Sequence, residues 1–326
     1  MPTPHHILKI DAEACTEKIA ADIRATLHAS PAEAVVIGLS GGVDSAVTAA
    51  LAVRAVGREN VEAYYLYDRH SAKRSYVCAG MVADHLGIRF HRCDITTQMR
   101  ERGIYSPLVM RLTSVSAPVN RWLSTQMNRL FARQSFFIWT LHRGRFEHNR
   151  LASFFYKHAV RHVEGAFNAR HIYRRRFLEK EAHEKNALVL GAANKSEWMV
   201  GWFVTGGIDD VPLSPLKQFY KTQVLQLAEY LDVPLEVRSM PPSPDMLKGL
   251  SDRSALGIGY ETLDAILYYI ECGESDERIL SEGFDEEDVR HVRSMCELSD
   301  WKRRPQGTIA DCCPQLSTMK HEPCYD

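Results

Sequence analysis

Residues 34–46 read Ala-Val-Val-Ile-Gly-Leu-Ser-Gly-Gly-Val-Asp-Ser-Ala. An apolar run of strand character enters a glycine turn, and the turn enters an alanine- and valine-rich helix. Gly41 and Gly42 let the backbone approach a ligand closely and take dihedrals that other residues avoid. Ser40 and Ser45 offer hydroxyls to the same spot. The first N–H groups of the following helix, from Val43 onward, have no partner within the helix and point at it too. An aspartate at position 44 is out of place beside an anion unless a divalent cation accompanies the phosphates. The stretch therefore predicts a nucleotide triphosphate with magnesium. A Walker loop is excluded, because no Lys-Ser or Lys-Thr follows the last glycine. The dinucleotide fingerprint is excluded by the glycine spacing. A glycine pair between strand and helix also serves as a plain tight connection, so the pair alone does not decide function.

Composition sets the frame. A chain of 326 residues with 45% apolar and 25% charged residues is expected to build one large or two modest globular domains. No apolar stretch approaches the roughly 20 residues of a membrane span. The opening Met-Pro-Thr-Pro-His-His lacks the basic-then-apolar pattern of a signal peptide, so the cytoplasm is the expected location. Eight cysteines, at 15, 78, 93, 272, 296, 312, 313 and 324, are scattered and suggest no disulfide framework. Cys312 and Cys313 are read as reduced thiols in a tail, with a sulfur-carrying role as the alternative. Charge is uneven: residues 101–180 hold 15 Lys/Arg against 4 Asp/Glu, and the rest of the chain holds 25 against 37. A basic segment of this size suits nucleic acid, a phosphorylated substrate or an acidic surface.

Apolar spacing predicts a helix over 11–29, a strand over 34–39, a helix over 43–56, a strand over 61–67, a helix over 75–86 and a strand over 88–94. Strand and helix alternate at the βαβ rhythm of a doubly wound parallel sheet, so the fold class is α/β and Rossmann-like. Residues 98–165 break the rhythm and are read as an inserted basic helical segment. It is rich in aromatics (Trp122, Phe131, Phe136, Phe137, Trp139, Phe154, Phe155, Tyr156). Helix 168–184, strand 187–190 and helices 216–231, 260–271 and 285–297 follow. One domain over 1–305 and an irregular tail over 306–326 are expected.

A second constellation follows strand 187–190, in Gly-Ala-Ala-Asn-Lys-Ser-Glu at 191–197. Strand ends of open α/β sheets are where ligands bind. Glu197 suits magnesium, which takes one or two carboxylates plus phosphate oxygens. Asn-Lys-Ser-Glu also reads as a simple helix cap.

The Ser-Gly-Gly-Val-Asp-Ser run at 40–45 resembles the signature of the PP-loop ATP pyrophosphatases. The chain as a whole resembles the ammonia-dependent NAD synthetases. The likeness runs through Leu8–Asp11, Leu188–Gly191 with Asn194–Glu197, and Tyr220–Val224 with Leu227, Ala228 and Leu231. It continues through Pro242-Ser243, Asp252, Leu256-Gly257, Tyr260, Leu263-Asp264 and Trp301–Pro305. The resemblance implies that Ser40, Gly41, Gly42, Val43 and Ser45 hold the ATP phosphates. It implies that Asp44 and Glu197 hold magnesium, and that Lys221 neutralises departing pyrophosphate with Ser243 beside it. Arg174, like Asn168, matches a ligand-binding position on the helix before the second motif. The implied reaction adenylates a carboxylate, in the family that of deamido-NAD, and ammonia then forms the amide. At this length ammonia is expected free or from a partner, without a glutamine-hydrolysing domain. A homodimer is implied; nucleic acid is an open but less favoured partner.

The likeness fails at one end. Where the family carries a lysine and two aspartates for its acceptor, this chain has Thr205, Ile208 and Pro212, and Ala255 replaces a glutamate. The ATP half is intact and the acceptor half altered, which leaves a divergent paralogue with another acceptor as the alternative. The insertion reads as a surface helical pair, a remodelled acceptor pocket or a nucleic-acid face. His142, His148, His158, His162 and His171 lack metal spacing beyond His158 and His162, so no zinc site is expected.

Overall fold

The computed structural model describes residues 7–113, 136–143, 150–243 and 251–304. Elements run α1 (Ala12–His28), β1 (Ala34–Gly38), α2 (Val43–Val56), β2 (Val61–Tyr67), α3 (Lys73–Leu86) and β3 (Arg89–Asp94). Short helices α4 (Thr96–Glu101), α5 (Leu108–Thr113), α6 (Phe136–Leu141) and α7 (Arg150–Phe155) precede the long α8 (Arg161–Glu184). Then come β4 (Ala187–Leu190), α9 (Lys195–Val200), α10 (Lys221–Tyr230), α11 (Leu235–Arg238), α12 (Asp252–Leu256), α13 (Tyr260–Glu271), α14 (Asp276–Ser281), α15 (Glu286–Leu298) and α16 (Asp300–Arg303).

The four strands are all parallel, in the order β3-β2-β1-β4, with Val35 opposite both Val61 and Leu188. Alternate side chains of one strand enter different cores, as the pleat demands. Val35 and Ile37 join α1, α2, α3 and α10 on one face, and Val36 joins α8 and the Ile95–Met110 stretch on the other. Both faces are thus covered, the expected doubly wound arrangement. A third cluster gathers α6 and α12 to α15 around Leu263, Ile266 and Met295.

The topology matters for function. The chain winds outward from β1 to β3 and returns through α8 to place β4 on the other side of β1. That reversal opens a crevice at the carboxyl ends of β1 and β4. Gly38 sits at the mouth, where an added Cβ would stand 3.2 Å from Leu178 Cδ1.

Two expected boundaries move. Residues 216–231 are not one helix: a 3-10 turn at Pro215–Gln218 stops, and α10 begins only at Lys221. The break is Tyr220, extended at φ −64° and ψ 156°, whose N–H donates to Gln223 Oε1 at 2.9 Å. The helix expected over 168–184 starts at Arg161, running on from a π-helical turn at Tyr156–Val160. Residues 302 and 303 close α16, and residues 306–326, expected as an irregular tail, lie outside the described residues.

In the basic segment, Phe137 and Trp139 are core residues, whereas Phe154 and Phe155 are exposed. Trp122, Phe131, His148, Cys312, Cys313 and Cys324 lie outside the described residues. No cluster of three or more His, Cys, Asp or Glu suits a metal among the described residues, and their five cysteines are free. No described helix is long and apolar enough to cross a membrane.

One buried charge network fixes α8 against the sheet. Arg170, fully buried, donates from Nε to Asp68 Oδ2 at 2.6 Å, and the Tyr105 hydroxyl donates to the same oxygen at 2.9 Å. Arg170 also lies 3.1 Å from His70 Nδ1. Burial pushes the Asp68 carboxyl up, but Arg170 and Arg174 outweigh it and hold it below its ordinary value. Removing one partner of such a pair strands the other. Arg170→Ala is expected to lose about 3–5 kcal/mol of unfolding free energy, read by urea denaturation. A loss no larger than that of an exposed arginine such as Arg176 would contradict the assignment.

Candidate active site

The phosphate turn is built by its own hydroxyls. Gly41 has φ +84°, and a Cβ there would lie 2.1 Å from the Ser75 carbonyl oxygen, so only glycine fits. Ser45 Oγ donates to Gly42 O at 3.0 Å, accepts from Ser40 N at 3.1 Å, and lies 3.0 Å from Ser40 Oγ. Gly42 N donates to Ser40 Oγ at 3.2 Å. Gly42 is the N-cap of α2 and makes no side-chain cap bond, so the helix presents its first amides outward.

Across the crevice, the end of β4 does two jobs. Asn194 caps α9, its Oδ1 accepting from Glu197 N at 3.0 Å, and Glu197 completes the capping box. The same Asn194 donates from Nδ2 to Asp44 Oδ1 at 3.0 Å. The helix-cap reading of Asn-Lys-Ser-Glu thus holds, and the cap residue is also bonded to Asp44. Asp44 Oδ2 accepts from the Lys221 ammonium. Lys221 is buried and stands at the first position of α10, which the Tyr220 break creates.

Charge is concentrated here among largely buried groups. Burial, and then the neighbouring Asp44, push the Glu197 carboxyl well above its ordinary value. Burial likewise raises Asp252, although Lys221 and the Tyr260 hydroxyl, donating at 2.9 Å, oppose it. Burial pushes the Lys221 ammonium down, but Asp44, Glu197 and Asp252 together leave it raised and charged.

Behind Lys221 lies a support that its sequence place alone did not reveal. Asp264, fully buried, accepts from Ser196 Oγ at 2.5 Å and from Thr222 N at 2.8 Å, while Ser196 Oγ accepts from Lys221 N at 2.8 Å. This latch ties α9, α10 and α13 together at the lysine.

One cavity of about 550 Å³ takes in Ser40, Gly42, Val43, Asp44, Ser45, Asn168, Arg174, Glu197, Lys221 and Ser243. Gly41 shapes the turn from beneath and is not part of the lining. Arg174 donates from Nε to Leu66 O at 3.1 Å, at the end of β2. The Ser243 loop is tethered where Asp252 N donates to Pro242 O at 2.9 Å.

The far end carries groups that sequence reasoning missed. His171 Nδ1 pairs with Asp209 Oδ2 at 2.5 Å. Gly207 allows the contact, since a Cβ there would stand 2.8 Å from His171 Cβ. Lys302 donates to Gly201 O at 2.6 Å and to Phe203 O, and burial pushes its ammonium down to about 8.

The NAD synthase family model matches residues 15–105 and 148–306. The chain belongs to the NAD synthase family. It is 32% identical over 266 residues to the NH(3)-dependent NAD(+) synthetase of Coprothermobacter proteolyticus, covering 80% of this chain and 86% of that one. It is 33% identical over 272 residues to the Thermotoga maritima NH(3)-dependent NAD(+) synthetase, covering 82% and 89%. Among solved structures, the NMN synthetase of Francisella tularensis superposes with a TM-score of 0.65 at 22% identity, covering 92% and 99%. The NH3-dependent NAD synthetase of Campylobacter jejuni gives 0.60 at 22%, covering 91% and 99%. These two likenesses show a shared fold. Family membership makes the chain an ATP-dependent ligase of the NAD synthetase type, with a nucleotide-binding PP-loop core. The family model passes over residues 106–147, within the segment read as an insertion.

The latch has a pH signature. Burial raises the Asp264 carboxyl from 3.8 to about 6 against its hydrogen bonds. Its contribution to stability is therefore full below pH 3.8 and lost as pH rises through about 6. Relative to Asp264→Asn, the wild type is expected to lose roughly 1.4 kcal/mol per pH unit across that window, read as urea midpoints against pH. Parallel profiles would show that Asp264 does not titrate there.

Proposed function

We propose that the protein adenylates a carboxylate with ATP, releasing pyrophosphate, and that ammonia then displaces AMP to give the amide. Deamido-NAD, the family acceptor, is the leading substrate. The observation that carries this reading is the convergence of Asp44, Glu197 and Lys221 at the β1/β4 crevice, beside the Ser40–Ser45 turn.

The roles follow from chemistry. Adenylyl transfer needs alignment and charge neutralisation more than covalent help. The turn amides of Gly41, Gly42 and Val43 and the hydroxyls of Ser40 and Ser45 hold the phosphates. Lys221, kept charged by its neighbours, meets the negative charge that grows on leaving pyrophosphate, and Ser243 donates to the same group. Arg174 and Asn168 reach the nucleotide from α8.

The donor set fits magnesium: two adjoining carboxylates, Asp44 and Glu197, with phosphate oxygens to complete the shell. Such an ion, when bound with ATP, supplies neutralisation of phosphate charge. It also accounts for carboxylates crowded at a cost that a lone lysine does not cancel, since Glu197 stays raised beside Lys221. The family likeness supports a cytoplasmic homodimer as the working form.

A second reading is favoured by one set of observations. Thr205 and Ile208, in place of the family's acceptor contacts, share the cavity with the His171–Asp209 pair. This supports a paralogue with the same ATP chemistry and another carboxylate.

Purified protein with ATP, magnesium, ammonium and deamido-NAD is expected to yield NAD with stoichiometric AMP and pyrophosphate, followed by mass spectrometry. AMP and pyrophosphate without NAD would select the paralogue. Asp44→Ala and Glu197→Ala are each expected to cut pyrophosphate release by at least about 10²-fold with an unchanged circular dichroism spectrum. Normal turnover in both would overturn the site.

A further inference from the structure

Two departures from the family line one cavity, with Thr205 and Ile208 on one part and Phe137, Thr140 and Leu141 on the other. One is the substituted segment after Glu197, and the other is the stretch 106–147 that the family model passes over. Phe137, on helix α6 of that stretch, is buried with its ring edge-on to Trp202, the centroids 4.7 Å apart at 86°. Trp202 in turn is tied to the catalytic region, its backbone N–H donating to Glu197 O at 2.7 Å. Phe137, Thr140 and Leu141 all face the same cavity as Asp44 and Lys221.

The C-terminal motif clamps both pieces. Trp301 Nε1 donates to Leu141 O at 3.3 Å, while Lys302 holds the carbonyls of Gly201 and Phe203. The Ser40–Ser45 turn and the carboxylates of Asp44 and Glu197 line that cavity as well. With the phosphates assigned to the turn, the part of the cavity lined by α6 is left for the carboxylate-bearing substrate.

We propose that helix α6 is the outer wall of the acceptor subsite. It selects the acceptor through the apolar part next to its carboxylate, by way of Phe137, Thr140 and Leu141. This inference rests on the adenylating activity proposed above. It gives the insertion a substrate-facing task in this chain, in keeping with the burial of Phe137 and Trp139, which removes them as stacking platforms for bases. Helix α6 lies in the stretch between the two spans that the family model matches.

The test uses the full chain and two probes, deamido-NAD and its half-molecule nicotinate mononucleotide, with AMP release as the readout and ATP affinity measured separately by calorimetry. Phe137→Ala widens the wall and Thr140→Phe fills the space before it. Thr140 is half-buried, so the second variant keeps the test valid if the first fails to fold. Each folded variant is expected to raise the acceptor KM, or to change the ratio of the two probes, by about tenfold or more. ATP affinity is expected to stay within about twofold. An unchanged KM and probe ratio in Thr140→Phe would overturn the inference. An equal loss of ATP affinity would also overturn it, because it would mark α6 as structural support alone. Wild-type protein that binds ATP but releases no AMP with either probe would instead break the adenylating reading with these acceptors, and this inference would fall with it.

Discussion

A lysine ammonium taken out of water has to be given negative partners, and Lys221 is taken out of water almost completely. Its partners come from three distant places: Asp44 after β1, Glu197 after β4 and Asp252 before α13. Holding them together requires the parallel β1–β4 pairing, the break at Tyr220 and the buried Asp264 latch. Each is a local solution to one problem, the placement of a single charge. The carboxylates in turn are too many for one lysine, and Glu197 remains displaced from its ordinary ionisation. The chain thereby stores an unbalanced electrostatic arrangement at the crevice between β1 and β4.

The site divides into a preserved half and a rebuilt half. The phosphate turn, the Asn194 cap and Lys221 form one connected hydrogen-bond set with no tolerance for change, as the 2.1 Å approach at Gly41 illustrates. Beyond Glu197 the walls come instead from loop 202–209, α6 and α16, joined by aromatic edges and by lysine-to-carbonyl bonds. Such contacts can be exchanged for others of similar size without disturbing the charge cluster. In the proposed reading, variation at the acceptor end is thus physically separable from the charge cluster.

Much of this was legible in the sequence. The four strands were legible almost to the residue: β1 and β2 carry the near-continuous apolar signal of buried parallel strands, whereas β3, polar and partly exposed, was marked by Gly87 and the strand–helix rhythm. The residues of the turn and Glu197 could be proposed from sequence because their chemistry is local, and they line one cavity. The helix start at Lys221 was not legible, since tyrosine is not an expected cap and the apolar spacing continues across the break. Arg170 was invisible for a different reason: an arginine on a basic helix reads as solvated, and only the tertiary arrangement puts Asp68 against it. The His171–Asp209 pair depends on a close approach at Gly207 that no spacing rule encodes.

The separation of the partners along the chain has a temporal consequence. Asn194 meets Asp44 across 150 residues, and Lys221 meets it across 177. Contacts of such high sequence separation form late, after the entropy of closing the intervening loop has been met. During vectorial synthesis the phosphate turn emerges early, yet it lacks its lysine and second carboxylate until more than two-thirds of the chain has left the ribosome. The charge cluster is therefore complete only in a chain that extends at least to Lys221. Occupancy of the crevice, by linkage, draws the population toward the fully assembled state.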